Sequence, residues 1–235
     1  MYIYYPLFFY FLYIDQGNDM INNITINNES SQVMVVVPCV LMVAGIIHQL
    51  NARPEFKNSI NFIKDIHGAY DEVLNTPHST IVWNVSKSSQ RLAEEIKFIK
   101  WYRKAKPNKN IVIYTHNHKL SILKYISSLG VRVIISQYES PSIFMELLIK
   151  SLSSSITLHS PMIKTVLQEQ IAGELTECEM EVIEQLFLGR NVTQVAKRLG
   201  RDIRTVSSHK RHAMEKLGFH CDKDLHVFRC ELTGN

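Results

Sequence analysis

The sequence predicts two architectures in succession, an α/β domain with a doubly wound parallel sheet and then an all-α domain, and three observations predict it. From residue 32 onward, short apolar runs alternate with segments of helical period. That is the rhythm of strands and helices taking turns around a mostly parallel sheet. Near residue 152 the rhythm gives way to a Ser-rich stretch, LSSSITLHSPMIKTVLQEQIAG, with little periodicity, and a linker is expected over 156–172. Beyond it only helical signals remain, each with its own start and stop residues. A chain of 235 residues suits two small cores better than one, because single cores usually close at about 100–150 residues.

Within residues 32–155, strands are expected near 33–37 (VMVVV), 58–64, 79–84 (STIVWN), 110–115 (NIVIYT) and 131–136 (VRVIIS). Helices are expected between and after them, near 42–51, 68–75, 88–104, 118–129 and 141–153. The clearest is 88–104: Leu92, Ile96, Ile99 and Trp101 or Tyr102 line one side, Lys, Arg and Glu the other, and Pro107 follows its end. Gly130 stops the fourth helix. Five such repeats fit a flavodoxin-like doubly wound fold, whose ligands sit at the carboxyl ends of the strands.

Composition bounds the function classes. With 46% hydrophobic and 20% charged residues, burial can offset chain entropy and a wholly disordered protein is excluded. Net charge is +4, and its placement matters more than its size. Residues 173–235 hold ten basic and ten acidic side chains, but the acids crowd into 174–184. Residues 190–216 carry eight basic residues against Asp202 and Glu215. That is either an ordinary solvated run or the basic face that a phosphate backbone attracts. Cys39, Cys178, Cys221 and Cys230 form no CxxC, which suits reduced thiols in a cytoplasmic protein. His220, Cys221, His226 and Cys230 lack the usual zinc-ligand spacing, so no metal and no cofactor is expected.

Residues 1–31 open on an apolar run of fourteen residues, MYIYYPLFFYFLYI, followed by an Asn-rich polar stretch. As a helix the run would reach about 21 Å against a roughly 30 Å hydrocarbon core. It also lacks the basic segment and cleavage site of a signal peptide. Stable membrane insertion is therefore not expected, and 1–31 is read as a disordered or misassigned extension with Met20 as an alternative start to Met1. A membrane-surface anchor is the rival reading.

The most specific signals lie in 173–235. Thr176 and Glu179 make a capping box that starts a helix, along which Met180, Ile183, Leu186 and Phe187 recur until Gly189. A second helix points Val192, Val195, Ala196 and Leu199 inward and stops at Gly200. Asp202 caps a third over 203–217, which Gly218 ends. A helix-turn-helix needs a small residue where its helices approach, a Gly for positive φ in the turn and an apolar lock on the second helix. Ala196, Gly200 and Val206 supply these in order. On the third helix Arg204, Ser207, Ser208, Arg211 and Glu215 share one stripe, opposite Ile203, Val206, Ala213, Met214 and Leu217. Short Ser side chains allow close approach to base edges, and Arg reaches guanine or phosphate.

The run LTECEMEVIEQLFLGRNVTQVAKRLGRDIRTVSSHKRHAMEKLGF resembles the LuxR-type helix-turn-helix shared by quorum regulators and many response regulators. The resemblance implies a four-helix domain that binds double-stranded DNA through its third helix and dimerises through its fourth, about 222–230. By position it assigns the groove contacts to Ser207, Ser208 and Arg211, and phosphate bracing to Thr193, Gln194 and Lys197. Arg204 and Thr205 extend that contact set. Val206 and His209 complete the family's TVxxH, with Val206 in the core and His209 a packed side chain. Lys210 departs from the pattern, standing in the apolar stripe where most members have Leu. Its stem can snorkel and bring the ammonium to a phosphate or the linker.

The order of elements over 32–155 is similar to the receiver domain of two-component response regulators. The resemblance implies an acidic pair binding Mg²⁺, an Asp phosphoacceptor and a Lys beside it. Here those positions read Val37 and Pro38, Asn84 and Ser136, while Thr115 keeps the family's hydroxyl. No Asp or Glu lies between Gln32 and Asn51 or between Asn75 and Arg91. A hard cation wants carboxylate oxygens, and a neutral amide is a poor nucleophile. No phosphoacceptor is therefore expected, and the domain reads as a degenerate receiver used for dimerisation. A nucleotide-binding domain is disfavoured by the lack of a Gly-rich loop after the first strand.

SSHK with a following basic residue is similar to a narrower group, the Rcs-type regulators and their RcsA-like and BglJ-like auxiliaries. That implies a homodimer, or the auxiliary half of a heterodimer with a receiver-bearing LuxR-type regulator, and leaves contact with RNA polymerase open. The alternative from another class is an interaction subunit that modulates a response regulator and touches DNA only nonspecifically. An enzyme is not expected, since no nucleophile, base and orienter stand together. Small-molecule sensing by the N-terminal half stays open.

Overall fold

The computed structural model describes residues 33–37, 40–51, 60–75, 80–86, 89–153, 156–168 and 173–233. The proposed extension over 1–31, together with Pro38 and Cys39, lies outside them. Contacts divide the chain into two compact units. One comprises the described residues of 33–85, 105–116 and 132–162; the other comprises those of 86–104, 117–131 and 163–233.

The first unit holds the sheet. Strands β1 (Val33–Val36), β2 (Ile60–Ile63), β3 (Thr80–Val85), β4 (Asn110–Thr115), β5 (Val133–Ser136) and β6 (Leu158–His159) pair in the order β2-β1-β3-β4-β5-β6, every pair parallel. The first five reproduce the flavodoxin-like order. β1 is buried on both faces, so VMVV reads as a continuous apolar run without alternation. Helices α1 (Val40–Asn51), α2 (Ile66–Asn75) and α5 (Pro141–Ser153) belong to the same unit. Val35, Val82, Val112 and Ile135 from four strands, with Phe144 and Leu148 of α5, form its core.

Two elements fall where a linker was expected. β6 pairs with β5 through Val133 and Leu158 and through Ile134 and His159. Helix α6 (Pro161–Gln168) follows at once. Pro161 suits a first helical position because its missing N–H is one a helix leaves unpaired there. Buried Ser160 ties this segment to the end of β5 by accepting from the Ser136 N–H at 3.1 Å, and Glu139 Oε1 accepts from the Met162 N–H at 2.8 Å. A two-residue strand is too short to show a period, which is why the sequence hid it.

The second unit is helical. It contains α3 (Ser89–Ala105, its last residue excepted), α4 (Leu120–Ser128), most of α6, α7 (Glu177–Phe187), α8 (Val192–Leu199), α9 (Ile203–Leu217) and α10 (Asp222–Thr233). Its centre is aromatic. The ring of Phe228 lies 5.5 Å from Phe187, 5.1 Å from Phe219 and 5.7 Å from Tyr125, and all four residues are buried. No described helix is long and apolar enough to cross a membrane.

Candidate nucleic-acid interface

Local chemistry fixes where each helix of the C-terminal group begins and ends. Thr176 caps α7 by accepting from the Glu179 N–H, while Glu179 accepts from the Thr176 N–H, the reciprocal pair expected from the sequence. The same arrangement starts α8, where Asn191 and Gln194 exchange bonds of 2.9 Å. Asp202 caps α9 by accepting from the Arg204 N–H at 2.7 Å. Gly200 ends α8 at φ 62°, and a methyl group added there would meet open space. It is the left-handed backbone, not crowding, that calls for glycine.

Buried Val182, Ile183, Leu186, Val195, Ala196, Val206, Ala213 and Leu217 hold α7, α8 and α9 together. Glu179 reaches across this packing to Lys216, whose Nζ donates at 2.7 Å. Burial opposes ionisation of that carboxyl, but the bonds from Lys216 and Thr176 outweigh it and hold its pKa below the usual value. At the start of α10 the backbone N–H groups of His220 and then Cys221 do the same for Asp224.

With α9 fixed on its apolar side, the opposite side is open. Arg204, Thr205, Arg211 and Glu215 are exposed, and Ser207 and Ser208 are half-buried between them. On α8, Thr193, Gln194 and Lys197 are exposed. The carboxamide oxygen of Gln194 is committed to its cap, so its NH₂ is the end suited to a phosphate. The eight cations of 190–216 separate into two groups. Arg201 pairs with Glu181 at 2.9 Å, Lys210 with Asp222 at 2.6 Å and Lys216 with Glu179, while Arg190 donates to Gln185. Lys197, Arg198, Arg204 and Arg211 are exposed and form no ion pair among the described residues.

The Lys210 stem is half-buried as anticipated, and its ammonium pairs with Asp222, the first residue of α10, at 2.6 Å. A carboxylate one helix away was invisible to a single-helix projection. Ile203, placed on the apolar side, is 48% exposed, and Met214 is only half-buried. Ile203 precedes the first residue of α9 that the core reaches, Val206. His226 and Cys230, one turn apart on α10, lie 3.7 Å from each other through Nδ1 and Sγ, and Arg229 stands 3.2 Å from Nε2 of that ring.

The carboxyl end of the sheet carries the receiver-like positions. Val37 is buried. Asn84 Oδ1 accepts from Gln137 Nε2 at 2.8 Å, and that amide also donates to the Tyr114 carbonyl. Thr115 Oγ1 donates to the Val85 carbonyl at 2.9 Å, and Ser136 Oγ accepts from the Tyr138 N–H. The groups at these positions are an aliphatic side chain, an amide and two hydroxyls, with bonds within the sheet end. This donor set does not fit Mg²⁺, which needs carboxylate oxygens.

Residues 173–228 match the model of the GerE family, bacterial regulatory proteins of the luxR family. The match spans α7, α8, α9 and the first part of α10. Over 192 residues the chain is 27% identical to the transcriptional regulatory protein RcsB of Escherichia coli K12, covering 80% of this chain and 85% of that protein; the same figures hold for RcsB of Salmonella typhimurium LT2. Among solved structures, one of two RcsB dimers bound to two parallel DNAs matches with TM-score 0.56 at 23% identity, over 87% of this chain and 100% of that one. A complex of the two-component response regulator RcsB with DNA matches with TM-score 0.55 at 22% identity, over 87% and 100%. The shared fold is a receiver-like α/β sheet with a LuxR-type helical domain.

Proposed function

We propose that this chain is a sequence-specific DNA-binding transcription regulator, acting in the cytoplasm as a homodimer or as the auxiliary half of a heterodimer, whose receiver-like residues 32–155 are not switched by phosphorylation. The observation that carries the reading is the open stripe of α9, where two short hydroxyl side chains stand between exposed Arg204 and Arg211. Ser207, Ser208 and Arg211 are assigned to base edges, with Arg204 and Thr205 beside them. Thr193, Gln194 and Lys197 are assigned to phosphates. Lys210 is assigned to the phosphates as well, its ammonium held 2.6 Å from Asp222 in the chain without DNA. The RcsB structures bound to DNA support DNA as the partner, and the one described as two RcsB dimers supports the dimer.

The test separates base reading from phosphate contact. Arg211→Ala is expected to cost about 1–3 kcal/mol on a selected site and much less on random duplex. Lys197→Ala is expected to weaken all sequences alike and to lower the salt slope by about 1. Equal losses on both kinds of DNA for Arg211→Ala would instead support an interaction subunit with nonspecific contact.

Absence of phosphorylation control has its own measurement. Incubated with acetyl phosphate and Mg²⁺, the full chain is expected to show no retarded band on a phosphate-affinity gel, because Asn84 offers a neutral amide already bonded to Gln137. A shifted band that maps to the sheet end would overturn this part of the reading.

A further inference from the structure

We infer that Ile203 reads the 5-methyl group of a thymine at the edge of the contact made by Ser207 and Arg211. The inference rests on the assignment of α9 as the groove-facing helix and adds a specificity residue to it. Ile203 is the first residue of α9 and is 48% exposed although wholly apolar. At helical spacing it lies one turn before Ser207, about 40° away around the axis, on the flank of the Ser207 and Arg211 stripe. The polar residues that follow it, Arg204 and Thr205, are exposed as well, and the buried side of the helix begins only at Val206. Asp202 pins this first turn through the Arg204 N–H and, by its carbonyl, through the Val206 N–H at 3.1 Å.

The first turn of a recognition helix is the part that approaches base edges. A branched aliphatic side chain there can neither donate nor accept a hydrogen bond. The one apolar feature that the four bases present in the major groove is the thymine methyl. Ile203 therefore favours a thymine by removing that methyl from water.

The experiment uses the full chain as isolated from its host, with any partner that stays bound. Duplexes are enriched from a random pool, and each thymine of the preferred site is then replaced in turn by deoxyuridine, which deletes only the methyl. At one thymine in a half-site, wild type is expected to lose about fourfold in affinity, the worth of one buried methyl. Ile203→Ala is expected to bind the thymine and uracil forms equally, with Ile203→Thr as a second variant that retains a branched side chain. If no thymine of an enriched site responds in wild type, or if wild type and Ile203→Ala respond alike at every thymine, the inference fails and the proposed function stands. If no sequence is enriched over random DNA, the proposed function fails and takes the inference with it.

Discussion

Phe228→Ala is expected to destabilise the C-terminal helices by about 3–5 kcal/mol, the usual cost of emptying a buried phenylalanine site. Phe228 is 1% exposed and is the hub of the aromatic cluster, touching Phe187, Phe219 and Tyr125. Tilted and edge-on ring pairs of this kind add to the stabilisation from area alone. The loss is a large part of the roughly 5–15 kcal/mol that separates folded from unfolded chains. It should appear as a lower urea midpoint with an unchanged slope, and DNA binding should fall with the folded fraction. Phe228→Leu, which keeps most of the volume, should cost far less. A Phe228→Ala protein that unfolds at the wild-type midpoint would show that the cluster does not hold these helices.

Glu95→Gln is expected to stabilise the protein increasingly as pH rises. Glu95 lies on α3, and its carboxylate accepts from the Ser86 N–H at 2.9 Å. Burial pushes its pKa from 4.5 up to about 7, against the opposing pull of Ser86 and Arg91. Below the unfolded pKa both states hold the proton and the folded chain bears no penalty. Between the two values the unfolded state ionises first, so wild-type stability falls as pH rises; above about 7 the loss is complete. Each tenfold change in proton affinity is worth about 1.4 kcal/mol, so after a discount for partial exposure the loss is about 2–3 kcal/mol. Glutamine can still accept from Ser86 and carries no charge at any pH. The gap in urea midpoint between variant and wild type should therefore widen from about pH 4 to about pH 8. A gap of constant size over that range would refute the assignment.

The proposed function rests on α9, whose open side can meet DNA only if its apolar side is held, and the residues that hold it are Val206, Ala213 and Leu217 with Lys216 on Glu179. Substitutions on the open stripe should thus change DNA affinity with little effect on unfolding. Core substitutions should do the reverse.

Local elements were legible in the sequence because their causes are local. The Thr176 and Glu179 box, the Asp202 cap and the stops at Gly200 and Gly218 depend on residues within one turn of each other. The five strands from VMVV to VIIS announced themselves as apolar runs long enough to count. The absence of Asp and Glu between Gln32 and Asn51 and between Asn75 and Arg91 was equally plain, since it is read from the residues themselves. Only tertiary structure decided the rest. That Lys210 turns to Asp222, that Ile203 stands in the open and that Gln137 occupies Asn84 depends on groups brought together from different elements. The two-residue β6 exists only because the edge of β5 supplies its partner. A periodicity reports which side of one element is apolar; it carries no information on what the neighbouring element places against that side.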